Sequence, residues 1–430
     1  MQDKTPKIMP VSKYARSQIY FYVLSMLTSL FNFLYYPLLA RLVDVSTYGE
    51  VQFIATILFQ ISTLFLALNV VSIVLTIRYA SNDALLSKKL SAVSSLLNIL
   101  TLCSTIVLIV MLWLAQDQLQ FSNPLAFAAM GIAIVSTVPF TLGVGVLQGK
   151  NSYVKAGSLN LTGAALKLLF ASCLVIAGLG ATGAILGIAI GQIVALLIFS
   201  SRDGLTIRDT ISLNWRSVST LASDRPLLVS SFFIVLINAL MGIDVVLSKL
   251  LLSPAEAGEY AGVATLAKIA IFVVSPLMWI SIPYAVKRGG ESAIKKLLLL
   301  AAALSTGLIL LYLVFGEWVL SFTVGTQYLS MSSLLVIASV GSGVMAIAAM
   351  LNIILVARAQ FRHAGLQAAS MALALAVSFV LCSSLSISLL PAILISQIVS
   401  GGAGIAYYSI LVVNGRKTYS KNTNQDNKRR

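Results

Sequence analysis

Three charged side chains fall well inside apolar runs, where charge is costly: Lys167, Asp244 and Lys268. Asp244 and Lys268 flank one polar turn in the stretch NALMGIDVVLSKLLLSPAEAGEYAGVATLAK. Asp244 lies eight residues before Leu252, where one apolar run ends, and Lys268 lies nine residues after Glu259, where the next begins. At a rise of ~1.5 Å per residue, both sit roughly 12–14 Å below the same membrane face. Lys167 lies about ten residues from the outer end of its own run, roughly 15 Å deep. An acid and a base at matched depth in hydrocarbon must pair or line a wet cavity. Two cations and one acid at a shared level favour an anionic substrate, with Asp244 restraining a lysine or exchanging a proton. The other reading is a structural Asp–Lys pair that pins two helices together.

A second set of cations, Arg78, Lys150, Lys155, Arg358 and Arg362, marks the inner ends of the runs. Their first role is topological, and they can also attract an anionic lipid headgroup. Other chemistry is not written in the chain. The three cysteines (Cys103, Cys173, Cys382) lie in apolar runs without ligand spacing and read as packing residues. The single histidine, His363, has no acidic or cysteine neighbours, so no metal or cofactor is expected. The glycines of GVGVLQGK lack the spacing of a phosphate loop, and no Ser or Thr follows the lysine.

The elements that must carry these residues are membrane helices. Of the 430 residues, 58% are hydrophobic and 10% charged, with a mean hydropathy of +0.95. No soluble domain hides that much apolar surface. Runs of roughly 20 residues recur along the chain, each long enough to span a bilayer as a helix, and the ~10-residue alternation of a barrel is absent. Twelve spans are expected, near 18–40, 50–77, 90–115, 125–148, 155–178, 181–200, 227–252, 259–285, 294–315, 330–357, 365–387 and 390–413. With the N-terminus inside, inner segments hold 25 Lys and Arg and outer loops hold two, Arg41 and Lys249. That asymmetry is the positive-inside pattern, so both termini are expected in the cytoplasm and the net charge of +15 needs no nucleic-acid partner. The N-terminal run is too long for a cleaved signal and reads as the first span.

The chain also repeats. Gly49-Glu50 recurs as Gly258-Glu259, Lys88-Lys89-Leu90 as Lys295-Lys296-Leu297, and Gln192-Ile193-Val194 as Gln397-Ile398-Val399. Lys150, Tyr153 and Ala156-Gly157 recur as Arg358, Phe361 and Ala364-Gly365, and all four offsets lie between 205 and 209 residues. The expected fold is therefore an all-α membrane protein of two six-helix lobes related by a parallel pseudo-repeat, with the substrate path between them. The lobes are 18–200 and 227–413, flanked by a cytoplasmic segment 1–17, a cytoplasmic linker 201–226 and a disordered cytoplasmic tail 414–430. Asp244 and Lys268 map onto Tyr36 and Phe59, so the charges break the repeat. Gly183, Gly187 and Gly191 form a small-residue ridge suited to close helix packing within a lobe.

Three stretches carry a family resemblance. LLARLVDVSTYGEVQFIAT, IDVVLSKLLLSPAEAGEYAGVATLAK and LQGKNSYVKAGSLNLTGAALKLLF resemble the O-antigen and oligosaccharide-lipid flippases of the multidrug/oligosaccharidyl-lipid/polysaccharide (MOP) exporter superfamily. The resemblance covers essentially the whole chain. It implies two six-helix lobes in a V, alternating access, and movement of an undecaprenyl-diphosphate-linked O-antigen, capsule or exopolysaccharide unit across the bacterial inner membrane. Its implied partners are that lipid-linked oligosaccharide, membrane lipid and other polysaccharide-assembly membrane proteins; the expected protein is a monomer. Charged cavity residues in the family fit Lys167, Asp244 and Lys268, but no invariant site motif transfers. Two rival readings stay open. One is a cation-coupled exporter of small molecules, against which stands the lack of an acidic cluster within the N-terminal spans. The other is a membrane glycan polymerase or ligase, against which stand short outer loops without histidine.

Overall fold

The computed structural model describes residues 11–79, 83–203, 236–237, 239–286 and 290–428, with a few side chains inside the helices left undescribed. The chain divides into two compact units, Met1–Leu228 and Val229–Arg430. Every regular element among the described residues is helical. In unit 1 these are α1 (Val11–Leu42), α2 (Val45–Arg78), α3 (Asp83–Leu114), α4 (Leu125–Gly149), α5 (Tyr153–Leu174) and α6 (Gly180–Asp203). In unit 2 they are α7 (Ile243–Leu251), α8 (Pro254–Ala267), α9 (Ile269–Val286), α10 (Glu291–Thr323), α11 (Leu334–Ala357), α12 (Phe361–Ser384) and α13 (Leu389–Lys428). Short helical turns cover 116–119, 175–179 and 326–331.

Among the described residues, nine helical stretches are long and apolar enough to cross a membrane. One of them, Tyr153–Ser200, is 48 residues long and holds a reversal at Gly178 (φ 89°) and Gly180 (φ 50°). The left-handed backbone at both positions favours glycine, and it folds α6 back along α5. The 201–226 linker from residue 204 onward, and residues 227–235 and 238 of the expected seventh span 227–252, lie outside the described residues. The tail departs from expectation: α13 continues to Lys428 instead of ending near 413. Segment 414–428 holds one glycine and no proline, so nothing in it forces the helix to stop.

Unit 1 is organised by glycine. A Cβ on Gly191 would stand 2.5 Å from the backbone nitrogen of Lys167, and one on Gly187 would run into the backbone nitrogen and Cα of Ala171. The ridge therefore sets α5 and α6 in backbone contact, as small residues permit in membrane helices. The Tyr35 hydroxyl donates to the Ala184 carbonyl at 3.0 Å and ties α1 to α6. Ser72 Oγ donates to the Leu142 carbonyl at 3.0 Å, joining α2 to α4.

In unit 2 a core of Met241, Val274, Met278, Met345, Met350 and Met371 packs α9, α11 and α12 against the chain just before α7. A buried amide network crosses it. Asn352 Nδ2 donates to Gln367 Oε1 at 3.1 Å, and Gln367 Nε2 donates to the Gly404 carbonyl at 3.0 Å, joining α11, α12 and α13. Met fills irregular space around such groups because its side chain is unbranched and soft.

Several local devices recur at the spacing of the expected sequence repeat. Asp44 Oδ2 accepts from Thr47 N at 2.9 Å, ahead of α2. Burial raises the Asp44 carboxyl, and hydrogen bonds from Ser46 and Thr47 outweigh that and hold it below its usual range. Ser253 caps α8 in the same position 209 residues later, in a capping box with Glu256, and Pro254 opens that helix. Glu50 accepts from Ser122 N and Oγ at 2.6 and 3.0 Å, and Glu259 accepts from Ser330 Oγ at 2.6 Å. Left-handed residues close the helix ends at Asn151 and Ala359 (φ 56° and 55°) and at Gly178 and Ser386 (φ 89° and 58°).

Candidate functional site

The structure brings Asp244 and Lys268 together. Lys268 Nζ stands 3.4 Å from Asp244 Oδ1, with the side chains 13% and 2% exposed. A third member joins them: the Tyr260 hydroxyl, fully buried, donates to Asp244 Oδ2 at 2.7 Å. The Oδ1 atom meets the ammonium as an ion contact and takes no hydrogen bond. Asp244, Tyr260 and Lys268 thus form a closed set of one anion, one hydroxyl and one cation. Separating such partners in low dielectric is expensive, because each charge alone would carry its desolvation cost.

Local backbone explains the positions. The sequence suggests two continuous helices around the turn, and the structure breaks both. Gly242 (φ −107°, ψ 2°) interrupts the chain before α7, which puts Asp244 in the first turn of that helix. Lys268 caps the C-terminus of α8, and its carbonyl accepts from both Ile271 N and Phe272 N, at 3.0 and 3.3 Å. The acid sits at a helix start and the base at a helix end, each the favourable sign for the helix dipole. Neither break carries a proline, so neither was visible as a motif.

Lys167 belongs to unit 1 and has different company. Its Nζ donates to Asn32 Oδ1 at 2.6 Å and lies 4.5 Å from the centre of the Tyr35 ring. Both partners are on α1 and both are neutral. Gly191 presses on the Lys167 backbone from α6, so the side chain leaves α5 on its α1 side. Tyr35 is held in turn by its bond to Ala184 and by an edge-on contact with Tyr36 at 5.3 Å.

The inner-end cations are spread across both units. Lys150, Lys155 and Arg362 are exposed and Arg358 is half-buried, its Nε donating to the Ala285 carbonyl at 3.4 Å. Arg78 is the last residue of α2, and its side chain is outside the described set. His363 Nδ1 lies 3.0 Å from the Tyr407 hydroxyl beside Arg362. Two outer-loop expectations change: Arg41 and Lys249 sit in the last turns of α1 and α7, and Lys249 is only 3% exposed. Cations gain from the negative end of a helix, which draws them into that turn. Of the three cysteines expected to pack, Cys382 is buried, whereas Cys103 and Cys173 are exposed. Among the described residues no group of His, Cys, Asp and Glu could hold a metal.

Sequence reasoning missed Tyr260, Asn32 and Tyr35. Tyr260 had a usable signal, since it precedes Lys268 by two helical turns on one helix. Asn32 and Tyr35 had none, because their partner is 135 residues away in the case of Asn32.

No protein-family model and no curated protein matches the sequence. Solved structures do match. A multidrug resistance MATE family transporter of the MOP superfamily, in its inward-facing conformation, aligns with a TM-score of 0.65 at 14% identity over 91% of this chain and 96% of its own. A eukaryotic MATE transporter aligns with a TM-score of 0.63 at 13% identity over 93% and 96%. The lipid II flippase MurJ, in an inward closed conformation, aligns with a TM-score of 0.67 at 13% identity over 92% and 87%. These neighbours are transporters and a flippase, not enzymes. The chain has the fold that MATE transporters and the lipid II flippase MurJ share.

Proposed function

We propose that the protein is a flippase that moves an undecaprenyl-diphosphate-linked oligosaccharide from the cytoplasmic to the periplasmic leaflet of the bacterial inner membrane by alternating access. The proposed architecture has twelve spans in two lobes, 18–200 and 227–413, related by a parallel pseudo-repeat, with both termini in the cytoplasm. The observation that carries the reading is the placement of charge inside a transporter fold: Lys167 in one unit and the Asp244–Lys268 pair in the other. Charge within such spans marks a substrate or ion path by default. The recurring pairs Glu50–Ser122 and Glu259–Ser330, and the recurring left-handed turns, support the pseudo-repeat. The polysaccharide-flippase resemblance of the sequence supports the substrate class. Arg358 and Arg362, with Lys150 and Arg78, are the proposed inner-face cations that draw a lipid diphosphate toward the entrance.

The likeness to MATE transporters keeps a small-molecule exporter as the rival. Deleting the gene and restoring it separates the two. The flippase reading expects the deletion to lose surface glycan and accumulate lipid-linked oligosaccharide at the inner leaflet, with a C-terminal fluorescent reporter bright in the cytoplasm. Unchanged glycan, together with new sensitivity to cationic drugs, overturns it in favour of the exporter.

A further inference from the structure

We infer that the two buried lysines do different work: Lys167, presented with Asn32, is the contact for the substrate's diphosphate, whereas Lys268 is occupied by its counter-charge Asp244 within its own unit. The inference rests on the flippase reading and divides its candidate residues. Lys268 already has a carboxylate at 3.4 Å, and that carboxylate is fixed from its other side by Tyr260. A diphosphate arriving at Lys268 would have to compete with Asp244 at close range and would suffer its repulsion. Among the described residues Lys167 has no such competitor. Its two contacts are an amide oxygen and an aromatic face, and neither cancels a unit charge. An ammonium has three N–H donors, of which one goes to Asn32 and the ring face takes the charge only by its quadrupole.

Asn32 adds to this. Its Oδ1 is taken by Lys167, which turns the amide NH2 away from the lysine. Lysine and amide together offer more N–H donors than acceptor sites, which is the inventory an anion needs. The packing keeps the arrangement in place. Gly191 closes the α6 side of Lys167, and Tyr35, anchored on Ala184, supports the ammonium from α1. The ligand class is a diphosphate ester, and the sugar portion makes no part of this contact.

The test is equilibrium binding of geranylgeranyl diphosphate and of the matching alcohol, geranylgeraniol, to the full-length protein in detergent. Wild type should bind the diphosphate more tightly than the alcohol. Lys167→Gln should weaken diphosphate binding at least about tenfold, about 1.4 kcal/mol, and leave the alcohol unchanged. Lys167→Arg should keep most of the affinity, which rules out a merely misfolded Gln variant. The paired neutral variant Asp244→Asn with Lys268→Gln should lose less diphosphate affinity than Lys167→Gln does. Normal binding by Lys167→Gln, or an equal loss in the paired variant, overturns the division of labour and leaves the flippase reading intact. A wild type that does not distinguish diphosphate from alcohol overturns the flippase reading itself.

Discussion

Asp244→Ala is expected to destabilise unit 2 by about 3–5 kcal/mol, because it leaves the Lys268 ammonium without its counter-charge in a low-dielectric site. It also strips the Tyr260 hydroxyl, fully buried, of its acceptor. Lys268→Ala should cost a comparable amount, since it leaves the Asp244 carboxylate, only 2% exposed, without its counter-charge, although Tyr260 still satisfies one carboxylate oxygen. Removing both should recover most of the loss, as buried ion pairs contribute little beyond an apolar replacement. Thermal melts of the four proteins in one detergent measure the cycle. Additive losses in the double variant would mean that the two side chains do not act as a pair.

Gly187→Val should strongly destabilise unit 1. The added side chain meets Ala171 at its backbone nitrogen and Cα, and backbone cannot move aside as a flexible side chain can. Overpacking in a close-packed interior costs about 1–3 kcal/mol, and a clash with backbone lies at or above the top of that range. The variant should fail to accumulate as folded protein in membranes. Gly402→Ala is the control: among the described residues nothing outside its own helix backbone lies within 4 Å of its added Cβ, so it should accumulate normally. Normal accumulation of Gly187→Val would contradict backbone contact between α5 and α6.

These two sites differ in how much of them the sequence could disclose. Hydropathy and basic loops announce membrane helices because the bilayer imposes a length and the membrane face a charge bias. Asp244 and Lys268 were readable as a pair because both can be counted from one turn, and helical rise converts the count into depth. Their third partner and the two helix breaks follow from packing around Gly242 and Lys268, which no proline or turn motif marks. Lys167 was visible as a charge inside a span, but its neighbours come from α1, far away in sequence. The glycine ridge of α6 was legible as a close-packing surface; that it presses on the backbone of Lys167, and so turns its side chain toward Asn32, needed three helices in place. Glu50 and Glu259 stood out as repeat positions, while their serine partners lie 72 and 71 residues further on.

The proposed activity is movement of a lipid diphosphate oligosaccharide across a bilayer. The direct measurement uses purified full-length protein in sealed proteoliposomes, with a fluorescent undecaprenyl-diphosphate oligosaccharide placed in one leaflet. Arrival in the other leaflet is read by a membrane-impermeant lectin. Transfer well above that of protein-free vesicles is expected, with Lys167→Gln near the protein-free rate at equal protein content. Wild-type vesicles that leave the lipid in its starting leaflet, while moving a cationic dye across the same membrane, would contradict it.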